Sequence, residues 1–281
     1  MPTATNLDPA GLLPPFDNSL PATLRLHGEG ELLRVHAMNR SSYTTRRFLF
    51  NPSDSIGAAS NVFQFANGNL LQCEENSPEL VRYAVAHGLK LASDDETSEA
   101  IGLVKCAITD VIEPFQFLRA AVSELAWRCH IILAKNDDYD MSFSDPGIPF
   151  SIFISVPGRY ERTSVLRVAE NLIHETMHLH LSLFESLSPL VNVESTWSMY
   201  SPWKHQNRPA QGILHGLYVF SVLRWMWLQV SQKTQSRIDL DFALRRITEI
   251  DEEVSAVQAI ERCPVLTEAG KHMLQQLCET P

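Results

Sequence analysis

One segment constrains this chain more than any other: residues 174–178 read His-Glu-Thr-Met-His inside an apolar, helix-forming run. Two imidazoles four residues apart on a helix lie about 40° apart around its axis, close enough to bind one metal ion together. Glu175 is offset by about 100°, so its carboxylate lies beside such an ion rather than opposite it. Imidazoles without a partner are costly in apolar surroundings. We therefore predict a metal site at His174 and His178 rather than two core histidines.

The residues around this motif predict a strand, a turn and then the motif helix. Residues 150–156 are β-branched and aromatic and lie between Pro149 and Pro157, which is typical of a strand. The helix is expected from about Ser164 to Phe184. This order is the layout of zincin-like sites, in which an edge strand lies beside the metal. The predicted fold class is therefore α+β, predominantly helical, with a zincin-like strand followed by an HExxH helix.

The rest of the chain predicts further helices and little else. Apolar spacing indicates helices over 77–92, over 97–134 with an interruption at Pro114, from Pro209 to about residue 230, and over 235–278. Residues 1–60 are rich in Pro, Asn and Ser and are expected to form loops, with a strand or short helix at most. Without repeats or a flexible linker, the chain predicts a single helix-rich catalytic domain over residues 1–281. Within it, residues 1–95 could form an N-terminal subdomain and residues 96–281 the metal-binding core.

Charge and cysteine content narrow the environment and the partners. The formal net charge of −10 argues against nonspecific binding to nucleic acid or anionic membranes. The beginning of the chain lacks the basic and apolar segments of a signal peptide, and no uncharged run reaches membrane-spanning length. The five cysteines are odd in number and scattered, with no C-x-x-C spacing. We expect a cytoplasmic protein with no nucleic-acid partner and no membrane association; its oligomeric state is left open.

The metal needs a third protein ligand, because two histidines alone bind weakly. The metzincin continuation is absent, since Leu181 stands at its glycine position and Phe184 at its last histidine position. His180 lies about 240° around the helix from His174, which favours a surface or supporting role for it. The remaining candidates are Glu185, Glu194, His205 and His215. Of these, Glu185 is expected to be solvated and His205 to be exposed.

His215 is the preferred third ligand. It lies in the most apolar predicted helix, where a histidine requires a partner. Gly212 and Gly216, four residues apart, would form a groove of small residues through which this helix could approach the motif helix closely. A core histidine bonded to a backbone carbonyl is the alternative for His215.

The segment after the motif resembles a known family. Ser-Pro-Trp-Lys at 201–204, Arg-Pro at 208–209 and Leu-His-Gly at 214–216, following an HExxH, resemble the HExxH-type peptide-modifying proteins encoded beside ribosomally synthesised peptide natural products. Members of that family are iron(II)- and 2-oxoglutarate-dependent peptide β-hydroxylases. The resemblance covers roughly residues 150–230. One departure is Lys204, since Pro-Trp-Arg is expected there, and lysine lacks the bidentate fork of arginine.

The resemblance implies a cofactor, co-substrates and a partner. It implies that His174, His178 and His215 hold Fe(II), with O2 and 2-oxoglutarate as co-substrates and a precursor peptide as substrate. The distal carboxylate of 2-oxoglutarate requires a cation, for which Arg208 is the first candidate and Lys204 the second. A solvated loop or helix-end charge is the alternative for both.

Two aromatic residues of the same segment are candidates for contact with the peptide. Trp203 and Tyr200 could line the mouth of the pocket. Packing within the core or the loop is the alternative for both side chains.

The role of Glu175 separates three classes of function. In a 2-oxoglutarate-dependent non-haem iron dioxygenase it would orient a ligand or bond to substrate. In a cytosolic zinc metallopeptidase, the alternative function, it would be the general base that activates water. In a noncatalytic peptide-binding protein the metal would be structural or vestigial.

Overall fold

The computed structural model describes residues 19–38, 61–73, 76–136, 139–145, 148, 150–192 and 197–279, with only the backbone at 31–38, 79, 278 and 279. The fold is α+β and mostly helical with a small mixed sheet, which confirms the coarse fold class. The chain forms two compact units, one of Pro21–Leu179 and one that contains His180–Pro281. The predicted single domain stays a prediction.

A five-stranded sheet organises the first unit. Its strands are β1 (Val62–Gln64), β2 (Leu70–Cys73), β3 (Arg128–Ile132), β4 (Ser142–Ser144) and β5 (Ser151–Ser155), in the order β1-β2-β3-β5-β4. β3 runs parallel to both β2 and β5, whereas the two outer pairs are antiparallel. β5 is the strand predicted from its β-branched and aromatic residues, and every residue of it is buried. β5 lies in the interior of the sheet rather than at its edge, and the edge strand next to it is β4.

Two helices of the first unit begin at serine caps. The helices of this unit are α1 (Leu20–Met38), α2 (Pro78–Ala86), α3 (Asp94–Cys106), α4 (Gln116–Leu125) and the motif helix α5 (Arg162–Leu187), with a π-helical segment at Ala107–Ile112. Ser77 caps α2 by accepting a hydrogen bond from the Leu80 amide, and Ser93 forms a capping box with Glu96 on α3. The predicted interruption near Pro114 is confirmed by the gap between the π-helical segment and α4.

Two predictions of secondary structure in this unit are wrong. Residues 128–132 are strand β3 rather than the end of a helix, because parallel pairing with β2 and β5 buries four of the five residues. Burial between strands outweighs local helical spacing at this position. Residues 20–38, expected to form loops with a strand or short helix at most, form the 19-residue helix α1.

The second unit contains the end of α5, a hairpin and three further α-helices. The hairpin pairs β6 (Ser198–Ser201) with β7 (Gln206–Pro209), and α6 (Ala210–Lys233), α7 (Arg237–Ser255) and α8 (Glu268–Glu279) follow, with a 3-10 turn at Gln258–Arg262. The hairpin corrects the expectation of a plain loop before Pro209, and Pro209 is the residue before the first turn of α6 rather than within it. No helix in the described part of the chain combines the length and apolar character needed to cross a membrane.

A buried histidine in β3 predicts loss of stability in acid. The ring of His130 packs on Phe153 with 4.6 Å between centroids, and burial, together with the charge of Arg128, lowers its pKa from 6.5 to about 3. Between those two pH values the unfolded chain binds a proton that the folded chain does not, so the free energy of unfolding falls as the pH decreases. The contribution over that window is on the order of a few kcal/mol.

Urea unfolding at several pH values between 7 and 3.5 measures this effect. The change in the free energy of unfolding with pH is compared between the wild type and the variants. His130→Phe should make the free energy of unfolding less dependent on pH in this range. The matched control is His272→Phe, which changes an exposed histidine of α8 and should keep the wild-type dependence. Equal pH dependence of His130→Phe and the wild type would contradict the assignment.

Candidate metal centre

The motif lies on α5 with its two histidines on the less buried side of the helix. Leu172, Ile173 and Met177 are fully buried around them, whereas His174 and His178 are half-buried. The two imidazole rings have centroids 4.9 Å apart and an angle of 66° between their planes. Helical spacing thus brings two nitrogen donors together on one side, as the sequence predicts.

Glu175 is the buried acid of the motif. Its side chain is 4% exposed, one carboxylate oxygen accepts a 2.6 Å hydrogen bond from the Ser144 hydroxyl, and the other lies 3.9 Å from Nε2 of His174. A buried carboxylate requires such a donor, because burial removes its water. Ser144 is the last residue of the edge strand β4, so this strand fixes Glu175 beside His174.

Ser144→Ala is expected to destabilise the protein through Glu175. The change leaves a buried carboxylate oxygen without its hydroxyl donor, which costs about 2 kcal/mol for a hydrogen bond to a charged group. Chemical denaturation measures the difference in the free energy of unfolding between the variant and the wild type. Ser142→Ala is the matched control, because Ser142 lies on the same strand with similar exposure. If Ser144→Ala lowered the free energy of unfolding no more than Ser142→Ala does, the Ser144 hydroxyl would not support Glu175.

His215 forms a pair with a carboxylate in the second unit. Its Nε2 lies 2.7 Å from Oε2 of Glu185, and the Gln211 amide donates to the same oxygen at 2.9 Å. The expectation that Glu185 is solvated is therefore wrong, since its side chain is only 10% exposed. Carboxylates that bond one nitrogen of an imidazole orient the ring for metal binding through the other. The role of His215 as the third ligand stays a prediction.

His180 has a structural role in the core. The residue is fully buried, and its Nδ1 lies 2.8 Å from the hydroxyl of Tyr218. Burial lowers the pKa of His180 to about 3, so the ring is neutral at pH 7. A surface position for His180, one of the two options drawn from the sequence, is thus excluded.

The hairpin β6–β7 covers the small residues of α6. The ring of Trp203 lies directly over Gly216, stacks on Phe220 at 5.1 Å and donates from Nε1 to Glu253. Any side chain at Gly216 would collide with this ring. Gly212 faces the side chain of Arg208, whose Nε would lie 3.2 Å from a Cβ added at this position. The groove expected from the two glycines is therefore occupied by residues of the hairpin.

The two aromatic candidates differ in environment. Trp203 is half-buried and packed on α6, whereas Tyr200 is exposed and its hydroxyl lies 3.3 Å from Nδ1 of His205. His205 is exposed, as expected, and has a positive φ of 50° at the end of the hairpin turn. Contact of Trp203 and Tyr200 with a peptide stays a prediction.

The two cationic candidates also differ. Arg208 lies on β7 and is half-buried, whereas Lys204 lies in the hairpin turn and is exposed. No carboxylate in the described ranges forms an ion pair with Arg208. A guanidinium that no carboxylate binds can pair with an anionic ligand, and its fork of donors matches a carboxylate. Arg208 therefore fits a carboxylate ligand better than Lys204.

The complete ligand set stays a prediction. Within the described ranges no group of three or more His, Cys, Asp or Glu side chains lies close enough to hold a metal ion. Glu194, one of the alternatives for the third ligand, lies outside the described residues. The sequence missed Ser144 and the pair of Glu185 with His215, because neither contact is encoded by local spacing.

Comparison with family models and with curated proteins found no match to this chain. The assignment of function therefore depends on the residues themselves and on the resemblance of the segment around them.

Proposed function

We propose that the protein is an iron(II)- and 2-oxoglutarate-dependent hydroxylase that acts on a side-chain β-carbon of a ribosomally synthesised precursor peptide. The observation that carries the proposal is the pair His174 and His178, whose rings lie 4.9 Å apart on the half-buried side of a helix that is otherwise buried around them. Imidazole is a common ligand of iron(II) in enzymes of this kind.

In this proposal, five residues bind the cofactor and the co-substrate or support that binding. His174 and His178 would hold the metal, with His215 as the third ligand, oriented by Glu185. Arg208 would bind the distal carboxylate of 2-oxoglutarate through its fork of donors. Bound iron supplies the chemistry by which O2 is reduced: one oxygen atom enters a peptide C–H bond, and the other enters succinate as 2-oxoglutarate loses CO2.

Glu175 has a supporting role in the proposal. Its carboxylate is almost fully buried and accepts a hydrogen bond from Ser144, as is common for residues that hold metal ligands in place. Its role in the proposal is to position His174, whose Nε2 lies 3.9 Å away. Zinc-dependent peptide hydrolysis is the competing function that the experiment must exclude.

Mass spectrometry of a precursor peptide tests the proposal. The peptide encoded beside this gene is incubated with the protein, iron(II), 2-oxoglutarate and O2, and each component is omitted in turn. The expected product is heavier by one oxygen atom, and its formation requires all three components, with succinate formed in equal amount. Peptide cleavage with zinc in the absence of 2-oxoglutarate would overturn the proposal in favour of a metallopeptidase.

A further inference from the structure

The first unit contains a cavity that the proposed function does not use. Its volume is about 540 Å³, within the range of small-ligand sites. It opens where the parallel strands β3 and β5 end, with residues 131–134 on one side and 155–158 on the other. Crevices at the carboxyl ends of parallel strands commonly bind ligands. Helix α3 forms a further wall, with Ala100 and Leu103 providing apolar surface.

The charges of the described lining residues favour a cation. Arg167 donates from Nε to both oxygens of Asp140, at 3.1 and 2.9 Å, so these two charges neutralise each other. Glu96 and Glu99 add two further carboxylates. Glu96 is engaged in the capping box of α3. Glu99 is exposed, and no cation in the described part of the chain forms an ion pair with it. A positively charged group in the cavity would compensate this carboxylate.

Two exposed tyrosines flank the cavity. Tyr139 is 50% exposed and Tyr160 is 68% exposed, although large aromatic side chains are usually more buried. The ammonium of Lys135 lies 5.8 Å from the centre of the Tyr139 ring, so this ring already attracts a cation. Tyr160 is held in place by a 2.9 Å contact between its hydroxyl and Sγ of Cys106 and by packing on Gly102. Aromatic faces beside a carboxylate are suited to a guanidinium or ammonium group.

The cavity and the metal motif lie along the same side of α5. Arg167 precedes His174 by seven residues, which places the two side chains within about 20° of each other around the helix and about 10 Å apart along it. Asn171, between them, donates to the carbonyl of Ser155 at the end of β5. An extended peptide spans about 10 Å in three residues. A peptide residue in the cavity would therefore lie about three positions from a residue at the motif.

We infer that this cavity binds a basic side chain of the peptide substrate, about three residues from the position that is modified. The inference rests on the proposed function for the identity of the substrate. The aliphatic stem of the arginine or lysine packs on Ala100 and Leu103, and its charged end reaches Glu99 between the two tyrosines. The cavity thereby selects which peptides are presented to the metal site.

Isothermal titration calorimetry of capped pentapeptides tests the inference without turnover. The protein is used both as wild type and as His174→Ala, so binding is measured whether or not the proposed reaction occurs. The probes have arginine, norleucine or glutamate at the centre of four alanines. The arginine peptide is expected to bind at least about 10-fold more tightly than the norleucine peptide, as for a hydrogen-bonded charge.

Variants locate the binding. Glu99→Gln should weaken binding of the arginine peptide about 5-fold or more, and Ala134→Trp, which fills the cavity, should abolish it. Asp95→Asn removes the same charge from an exposed position of α3 outside the cavity and should have no effect. Equal binding of the arginine and norleucine peptides, or equal effects of Glu99→Gln and Asp95→Asn, would overturn the inference. Arginine-selective binding without oxygen incorporation into any peptide would overturn the proposed function alone.

Discussion

Replacing His178 with alanine is expected to lower the affinity for iron(II) at least about 100-fold and to reduce oxygen incorporation below detection. Removing a group that merely supports a metal ligand costs about 10–100-fold in metal affinity, so the loss of a ligand costs at least as much. A large effect is expected because His174 and His178 are the two histidines of α5 whose rings lie together on one side of the helix. Iron(II) titration under anaerobic conditions measures the first effect, and mass spectrometry of the peptide measures the second.

The fold should survive this substitution, because His178 is only half-buried and its replacement is small. Circular dichroism and thermal unfolding of His178→Ala verify this. His272→Ala, which changes an exposed histidine on α8, should retain wild-type iron binding and activity. If His178→Ala kept its iron affinity, the metal would not be bound at this motif. If it lost iron but kept activity, the proposed hydroxylase chemistry would be wrong.

Replacing Arg208 with alanine is expected to raise the KM for 2-oxoglutarate by about 10–100-fold, the effect of losing a hydrogen-bonded ion pair. Iron(II) affinity should change by less than about 2-fold, since Arg208 is not a metal ligand in the proposal. The physical basis is that Arg208 is half-buried and that no carboxylate in the described ranges forms an ion pair with it. Succinate formation at varied 2-oxoglutarate concentrations measures KM, and iron(II) titration measures the affinity for iron(II).

Two further variants sharpen this experiment. Arg208→Lys keeps the charge but loses the bidentate fork, so its KM should lie between those of the wild type and Arg208→Ala. Lys204→Ala should have a smaller effect than Arg208→Ala, because Lys204 is exposed in the hairpin turn. Equal losses of iron binding and 2-oxoglutarate use in Arg208→Ala would count against its assignment to the carboxylate. A larger effect of Lys204→Ala would assign that role to Lys204 instead.

Contacts distant in sequence explain most of the wrong expectations. Glu185 was expected to be solvated because it follows the motif near the end of a helix, yet its carboxylate bonds His215, thirty residues further along the chain. Gly216 suggested a groove for a helix, yet the ring of Trp203 covers it. The first outcome depends on a contact between α5 and α6, and the second on which surface the hairpin β6–β7 reaches. The β-pairing of short polar segments has a weak local signature.

The sequence by itself determined the elements whose signals are local. The spacing of His174 and His178 specifies neighbouring rings on a helix, and the apolar run at 150–156 specifies a buried strand. The tertiary structure alone decided the partners: Ser144 for Glu175, Glu185 for His215, and the interior place of β5 in the sheet. Periodicity along one helix or strand is written in adjacent residues, whereas a hydrogen bond across the fold depends on where two distant segments pack.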